Sequence, residues 1–276
     1  MLTPEIRTIA ASDGQAYRLS LVVPSEPAPR AGWPVAYILG EESLLRLLDE
    51  ADKRASGRRD GSWPAAVLVG IGYPGQTRRE FDYTPRVDGG PGFDREQPSG
   101  TGGAQAFLSF IQAELRPLLA LLYSVDVQRQ YLLGHSLGGL FVLDTMLRQP
   151  EAFRAYVSSS ASVWWADRYL QRRVKQAASG TEGQAAPHAG TPSVWMSVGE
   201  YEQSASPEEF ARNDPRLAAN LQRRQSRRMV DGNRELAGLL ADEGLASVRF
   251  QIITGATHGT SVGPAMYWGL RGALGE

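Results

Sequence analysis

Gly134-His135-Ser136-Leu137-Gly138 sets a serine between two glycines. A short apolar run, Tyr131-Leu132-Leu133, precedes it, and an apolar-periodic segment from Leu140 through Leu147 follows. Strand, G-x-S-x-G and helix, in that order, is the context of a nucleophile elbow. The glycines have a physical purpose. A sharp strand-to-helix turn forces the central serine into a strained backbone conformation, and neighbouring side chains would clash there. The helix that follows aims free N–H groups at the point where an oxyanion develops. In a chain with 30 glycines the five residues alone arise easily by chance, and it is the flanking strand and helix that lift them above that background.

A serine hydroxyl is a poor nucleophile at neutral pH; it needs a base, and the base needs an orienting acid. The chain has three histidines, His135, His188 and His258. His135 lies inside the elbow, where the turn predicts that its side chain points away from the serine. His188, in Ala186-Pro187-His188-Ala189-Gly190, reads as a loop residue. His258 follows the last strand, in Thr254-Gly255-Ala256-Thr257-His258-Gly259, and the chain order serine, acid, histidine makes it the candidate base. The acid should follow the preceding strand, which ends in Val198-Gly199-Glu200-Tyr201-Glu202. The Gly-x-x-acid spacing favours Glu202, with Glu200 as second choice. That carboxylate would hold His258 in the correct tautomer and stabilise its cation. Of the two N–H donors an oxyanion hole needs, one should be the backbone of Leu137. The second should come from the loop after Val35–Leu39, within Gly40-Glu41-Glu42.

These residues need a scaffold. Residues 5–11 and 16–23 alternate as two strands joined by Ser12-Asp13-Gly14. Buried strands are predicted at 35–39, 65–71, 131–133, 153–158, 194–198 and 248–253. Helical spacing covers 42–55, the long amphipathic stretch 104–122, the segment after the elbow up to Pro150, most of 213–243, and 262–274. Between them, 73–103 is rich in Gly and Pro without sustained periodicity, and 177–192 is a small-residue loop. Strands alternating with helices predict a mostly parallel central sheet with helices on both faces and right-handed crossovers. The opening pair supplies an antiparallel edge. Ligands bind such sheets at the carboxyl ends of the strands. With no repeat or linker visible, residues 1–276 read as one domain carrying a long loop at about 73–103.

Composition narrows the classes. The 42% hydrophobic and 21% charged residues are those of an ordinary globular protein. A net charge of −1 implies no general attraction to nucleic acid or to anionic membranes. The absence of cysteine excludes disulfides, thiolate metal sites and a cysteine nucleophile. No cofactor or metal is expected. No apolar stretch is long enough to span a bilayer. Residues 1–24 lack the pattern of a signal peptide, so a cytoplasmic location is expected, or a periplasmic one if a leader has been removed.

With the serine, acid and base in place, the chain resembles the putative-esterase (esterase D-like) family of α/β-hydrolases, which includes esterase D, the mycolyltransferases and the siderophore esterases. The resemblance covers nearly the whole chain. It is carried by Phe81-Asp82-Tyr83-Thr84-Pro85, by Gly102-Gly103-Ala104, and by Gly134 through Phe141. It continues in Ser160-Ala161-Ser162-Val163-Trp164-Trp165, in Val198 through Gln203, and in His258-Gly259-Thr260. The Asp-Tyr-Thr-Pro and Gly-Glu-x-Glu features look most like the siderophore trilactone esterases, such as the enterochelin and bacillibactin esterases. That implies an α/β-hydrolase fold and hydrolysis of the ester bonds of a ferric or iron-free catecholate siderophore. It also implies that Arg79 helps hold the anionic ligand, since a guanidinium pairs well with catecholate oxygens. Trp164 and Trp165 are candidates to stack on catechol rings, with at least one expected to pack beneath the site. Tyr73, which opens the long loop, joins them as a candidate substrate contact.

One departure stands out. The family usually has Leu-Asp-Gly-x where this chain has Leu39-Gly40-Glu41-Glu42; by alignment Glu42 supplies the second oxyanion N–H. The Arg223-Arg224…Arg227-Arg228 cluster reads as a solvated helix face, with attraction of anionic substrate as the alternative. Three functions compete: a siderophore trilactone esterase; a general carboxylesterase, thioesterase or acyltransferase with the same chemistry and another pocket; and a binding module with a decayed site.

Overall fold

A computed structural model describes residues 3–55, 66–87, 97–179 and 190–275. Eight strands form one sheet: β1 (Glu5–Ala10), β2 (Ala16–Val22), β3 (Trp33–Leu39), β4 (Val67–Gly72), β5 (Val125–His135), β6 (Ala155–Ser159), β7 (Ser193–Gly199) and β8 (Ser247–Ile253). Their order is β1-β2-β4-β3-β5-β6-β7-β8. β1 and β2 pair antiparallel, as do β2 and β4, and every later neighbour is parallel. This is the α/β-hydrolase-like arrangement that the alternating pattern predicts, antiparallel edge included. Strands buried on both faces, β3 and β4, read as unbroken apolar runs, whereas β8, at the free edge, alternates.

Two apolar layers flank the sheet. α1 (Glu41–Ala55) and α10 (Val262–Leu274) cover one face through Leu44, Leu47, Met266 and Leu270, packed on Ile38, Leu133 and Val157. The other face is covered by α3 (Ala104–Phe110), α4 (Arg116–Leu122), α5 (Leu137–Arg148), α6 (Trp165–Ser179) and α9 (Met229–Asp242). α2 (Arg79–Asp82), α7 (Pro207–Ala211) and α8 (Leu217–Arg227) are peripheral. No described helix is long and apolar enough to cross a membrane.

The structure corrects four expectations about local structure. The stretch 104–122 is continuous but not uniform, with a π-helical segment, Ile111–Leu115, between α3 and α4. Pro117 is the physical reason: without an N–H it cannot close the α-helical bond to the preceding turn, and the backbone widens. Glu114 in that segment caps the β1–β2 turn by accepting from Ser12 N and Oγ. The predicted helix within 213–243 is two helices, broken where Arg228 takes a left-handed conformation (φ 48°). α6 was not expected; its first residues, Ala166 to Arg168, are also left-handed, and Arg172 donates to the carbonyls of Ala166 and Asp167. The long loop is interrupted by α2. His188 and residues 88–96 of that loop lie outside the described residues.

Candidate active site

β5 runs straight into α5 through Ser136, whose backbone angles (φ 60°, ψ −117°) are strained for any residue with a side chain. A Cβ on Gly134 would lie 2.2 Å from Gly138 O, so this turn exists only because position 134 has no side chain. Ser136 N donates to Ser159 O at 3.0 Å and Ser162 N to Ser136 O at 3.1 Å, which holds the strained residue from both sides. Its Oγ lies 3.4 Å from Ser162 Oγ. The N–H of Leu137, first residue of α5, has no acceptor among the described residues. The same holds for Glu41 and Glu42 at the start of α1, where no preceding turn supplies a carbonyl; the first bonds, from Ser43 and Leu44, go to Gly40 O.

The two helix N-termini open on one pocket of about 300 Å³, which Ser136, Leu137, Glu42, Tyr73, Arg46 and Arg79 line together. A larger groove of about 950 Å³ lies against Trp195, Tyr267 and Trp268, but no serine, histidine or carboxylate lines it, so it offers no comparable chemistry.

His258 and Glu202 meet as the strand ends predict. His258 Nδ1 and Glu202 Oε2 are 2.7 Å apart, with the histidine side chain 47% exposed and the glutamate 1%. Gly199 permits the turn between β7 and Glu202, since a Cβ there would sit 2.7 Å from Ala256 O and 2.9 Å from Glu202 Oε1. Glu200 points elsewhere: its Oε2 accepts from Gly255 N at 2.7 Å and braces the loop that carries His258.

His135 does not turn away. Its ring packs against that of His258, centroids 4.5 Å apart, and it lines the pocket. The reason is the two-residue period of β5. Tyr131 and Leu133 face α1 and α10, so His135 faces the same way, toward the loop that leads into α10. Burial, with His258, Arg79 and Arg46 nearby, holds its imidazole well below the ordinary histidine value of 6.5. The unfolded chain takes up this proton near the ordinary value, so below about pH 6.5 it binds a proton that the folded chain refuses. Stability should therefore fall as pH drops through that window. Tm measured from about pH 7.5 to 5.5 should decline less steeply in His135→Asn than in the parent.

The other predicted residues separate. Tyr73 lines the pocket, and its hydroxyl donates to buried Asp82 at 2.9 Å. Tyr17 and Arg78 reach the same carboxylate at 3.4 and 3.3 Å. Burial pushes the Asp82 carboxyl up, and those hydrogen bonds oppose it. Arg79 is exposed at the pocket rim with no side-chain partner among the described residues. Trp165 is 6% exposed and packs edge-on against Tyr169 in the core, so it is not a surface for stacking; the chain entering α6 turns it inward. Trp164 is 36% exposed, outside the pocket lining, with Arg227 4.5 Å over its ring. The arginine cluster is largely engaged. Arg224 grips Glu209 and holds its carboxyl down to about 2, and Arg228 pairs with Glu235 at 2.6 Å.

Three residues escape the sequence reading. Arg46 lines the pocket together with Arg79; one helical turn after Glu42, its position on the same face of α1 was legible. Ser160 and Ser162 reach Glu202 and Ser136 respectively, and a run of serines at the carboxyl end of a parallel strand was their signal.

Sheet order, elbow and the two helix N-termini at one pocket are those of an α/β-hydrolase-like serine esterase. The family described as "Putative esterase" matches residues 11–236, and the chain belongs to it. It is 35% identical over 216 residues to the ferri-bacillibactin esterase BesA of Bacillus subtilis, covering 72% of this chain and 71% of that protein. It is 30% identical over 247 residues to the siderophore enterobactin esterase of Emericella nidulans, covering 85% and 80%. The solved siderophore hydrolase EstB of Aspergillus nidulans superposes with a TM-score of 0.78 at 27% identity, over 99% of this chain and 94% of that one. The chain is thus an esterase related to the siderophore trilactone hydrolases.

Proposed function

We propose that the protein hydrolyses the trilactone of a catecholate siderophore, or its linear fragments, through an acyl-enzyme on Ser136. The observation that carries this reading is the 2.7 Å hydrogen bond between His258 and buried Glu202, on the loop whose histidine ring packs beside the elbow. Neutral His258 takes the Ser136 proton as Oγ attacks the ester carbonyl. Glu202 holds the Nδ1 proton and stabilises the imidazolium. The N–H groups of Leu137 and Glu42 receive the developing oxyanion. Collapse expels the alcohol, protonated by His258. Water, deprotonated by the same ring, then attacks the acyl-enzyme and releases the acid. The iron of a ferric complex is cargo in this scheme, freed once the ligand backbone is cut.

Two features support an anionic substrate. Arg79 and Arg46, on α2 and α1, both line the pocket, without carboxylate partners among the described residues. Glu41, which lines the same pocket, is engaged by Arg18 and Ser20. Removing one guanidinium contact to an anionic ligand costs about 1.4 kcal/mol, which is tenfold. Arg79→Gln should therefore raise KM for ferric enterobactin about tenfold and leave kcat/KM for 4-nitrophenyl butyrate within about twofold. Equal effects on the two substrates would remove Arg79 from substrate recognition. Side-by-side rates on ferric enterobactin, iron-free enterobactin and short acyl esters test the function itself; higher kcat/KM for the short esters would favour a general carboxylesterase.

A further inference from the structure

Glu202 is buried with two oxygens that do different things. Oε2 faces His258 Nδ1 at 2.7 Å. Oε1 accepts from Gly199 N at 2.7 Å and from Ser160 Oγ at 2.5 Å, with Ser261 Oγ at 3.5 Å. Ser160 is itself fully buried, the residue just beyond β6, and its backbone lies in the left-handed region at φ 48°. A non-glycine residue holds such a conformation only where its surroundings over-determine it. Here its N–H is fixed on Ser197 O at 2.7 Å, and its hydroxyl is aimed at the carboxylate, 3.3 Å from Ser261 Oγ. Two residues further on, Ser162 Oγ faces Ser136 Oγ. One short turn therefore touches both the acid and the serine.

We propose that Ser160 is a positioning residue of the esterase. Its hydroxyl, with the Gly199 N–H, fills Oε1 of Glu202, so that only Oε2 is turned to His258. The two donors fix the plane of the carboxylate and stabilise its negative charge inside the fold. The His258 side chain is 47% exposed; the His135 ring packs on it, and Glu202 is the hydrogen-bond partner that sets its Nδ1. A carboxylate free to rotate would hold the ring in several orientations and its Nε2 off the line to Ser136. Ser160 touches no substrate; it acts through Glu202. This inference rests on the proposed Ser136–His258–Glu202 relay.

The test uses Ser160→Gly, Ser160→Ala and Glu202→Gln in the full chain. Glycine accepts φ 48° without strain, so Ser160→Gly removes the hydroxyl while leaving the backbone at ease. Loss of one hydrogen bond to a charged group is expected to lower kcat for 4-nitrophenyl butyrate about 10- to 100-fold, with KM changed less than about threefold. Tm should hold, and the low-field proton NMR signal of His258 Nδ1–H should broaden or shift. Ser160→Ala, which keeps the Cβ packing, should give the same loss of kcat and serves if the glycine variant folds poorly. If kcat stays within about twofold in both variants while Glu202→Gln is strongly impaired, the relay stands and the role of Ser160 is refuted. Parallel losses of Tm and kcat with an unchanged Nδ1–H signal would also refute it, leaving a purely structural serine. If Glu202→Gln itself keeps full kcat, the relay fails, and this inference falls with it.

Discussion

Ser136→Ala should lower kcat for 4-nitrophenyl esters and for enterobactin about a millionfold, to the level left by binding and the oxyanion donors alone. Ser136 is the elbow residue, its backbone is pinned by hydrogen bonds to Ser159 and Ser162, and those bonds use only main-chain atoms. Alanine keeps the Cβ and meets the same backbone strain as serine at φ 60°. The fold and the pocket therefore survive, and the missing atom is Oγ. Without it no acyl-enzyme forms, and His258 has only water to activate. A fluorophosphonate probe should label the parent at Ser136 and leave the variant unlabelled, with Tm within a few degrees. Retained turnover of both ester classes would take the elbow out of the chemistry. Loss of the probe adduct in the parent itself would point to a binding module instead.

The pieces that could be read in advance share one property: they are set by the backbone at strand ends. The elbow needs glycine at 134 because Gly138 leaves no room, and that constraint is written in the residue types. His258 and Glu202 follow β8 and β7, adjacent parallel strands whose carboxyl ends must lie side by side, so a chain-order rule suffices to bring them into contact. The alternating pattern of β1 and β2 likewise foretold the antiparallel edge. What escaped depends on three-dimensional neighbours. Nothing within the elbow tells what covers the face that His135 points from; that is settled by α10 and the loop leading into it. Trp164 and Trp165 are adjacent and alike, yet one lies at the surface under Arg227 and the other in the core. The break at Arg228 has no residue-level signal, since arginine has no preference for left-handed backbone. Pro117 lies inside a stretch whose periodicity reads as one helix, and a proline alone does not tell whether the backbone widens or stops.

The proposed orienting acid gives the second large effect, because two glutamates compete for that role two residues apart. Glu202→Gln should lower kcat about 10³- to 10⁴-fold with little change in KM, whereas Glu200→Gln should cost less than about tenfold. The geometry explains the asymmetry. Glu202 is almost fully buried and reaches His258 Nδ1 directly, whereas Glu200 spends its carboxylate on the Gly255 N–H. An amide at 202 is nearly isosteric, so Ser160 and Gly199 can still bond its oxygen. Its NH₂ would then face Nδ1, favouring the wrong tautomer, with the proton on Nε2 where a base is needed. It also removes the charge that offsets the imidazolium. The deficit should shrink in the acyl-enzyme step when a strong exogenous nucleophile replaces water, because that step then leans less on His258 as base. Steady-state kinetics with and without hydroxylamine, run on both variants, check this. A larger loss in Glu200→Gln than in Glu202→Gln would move the orienting acid to the other glutamate, and with it the reading of the whole loop between β7 and α7.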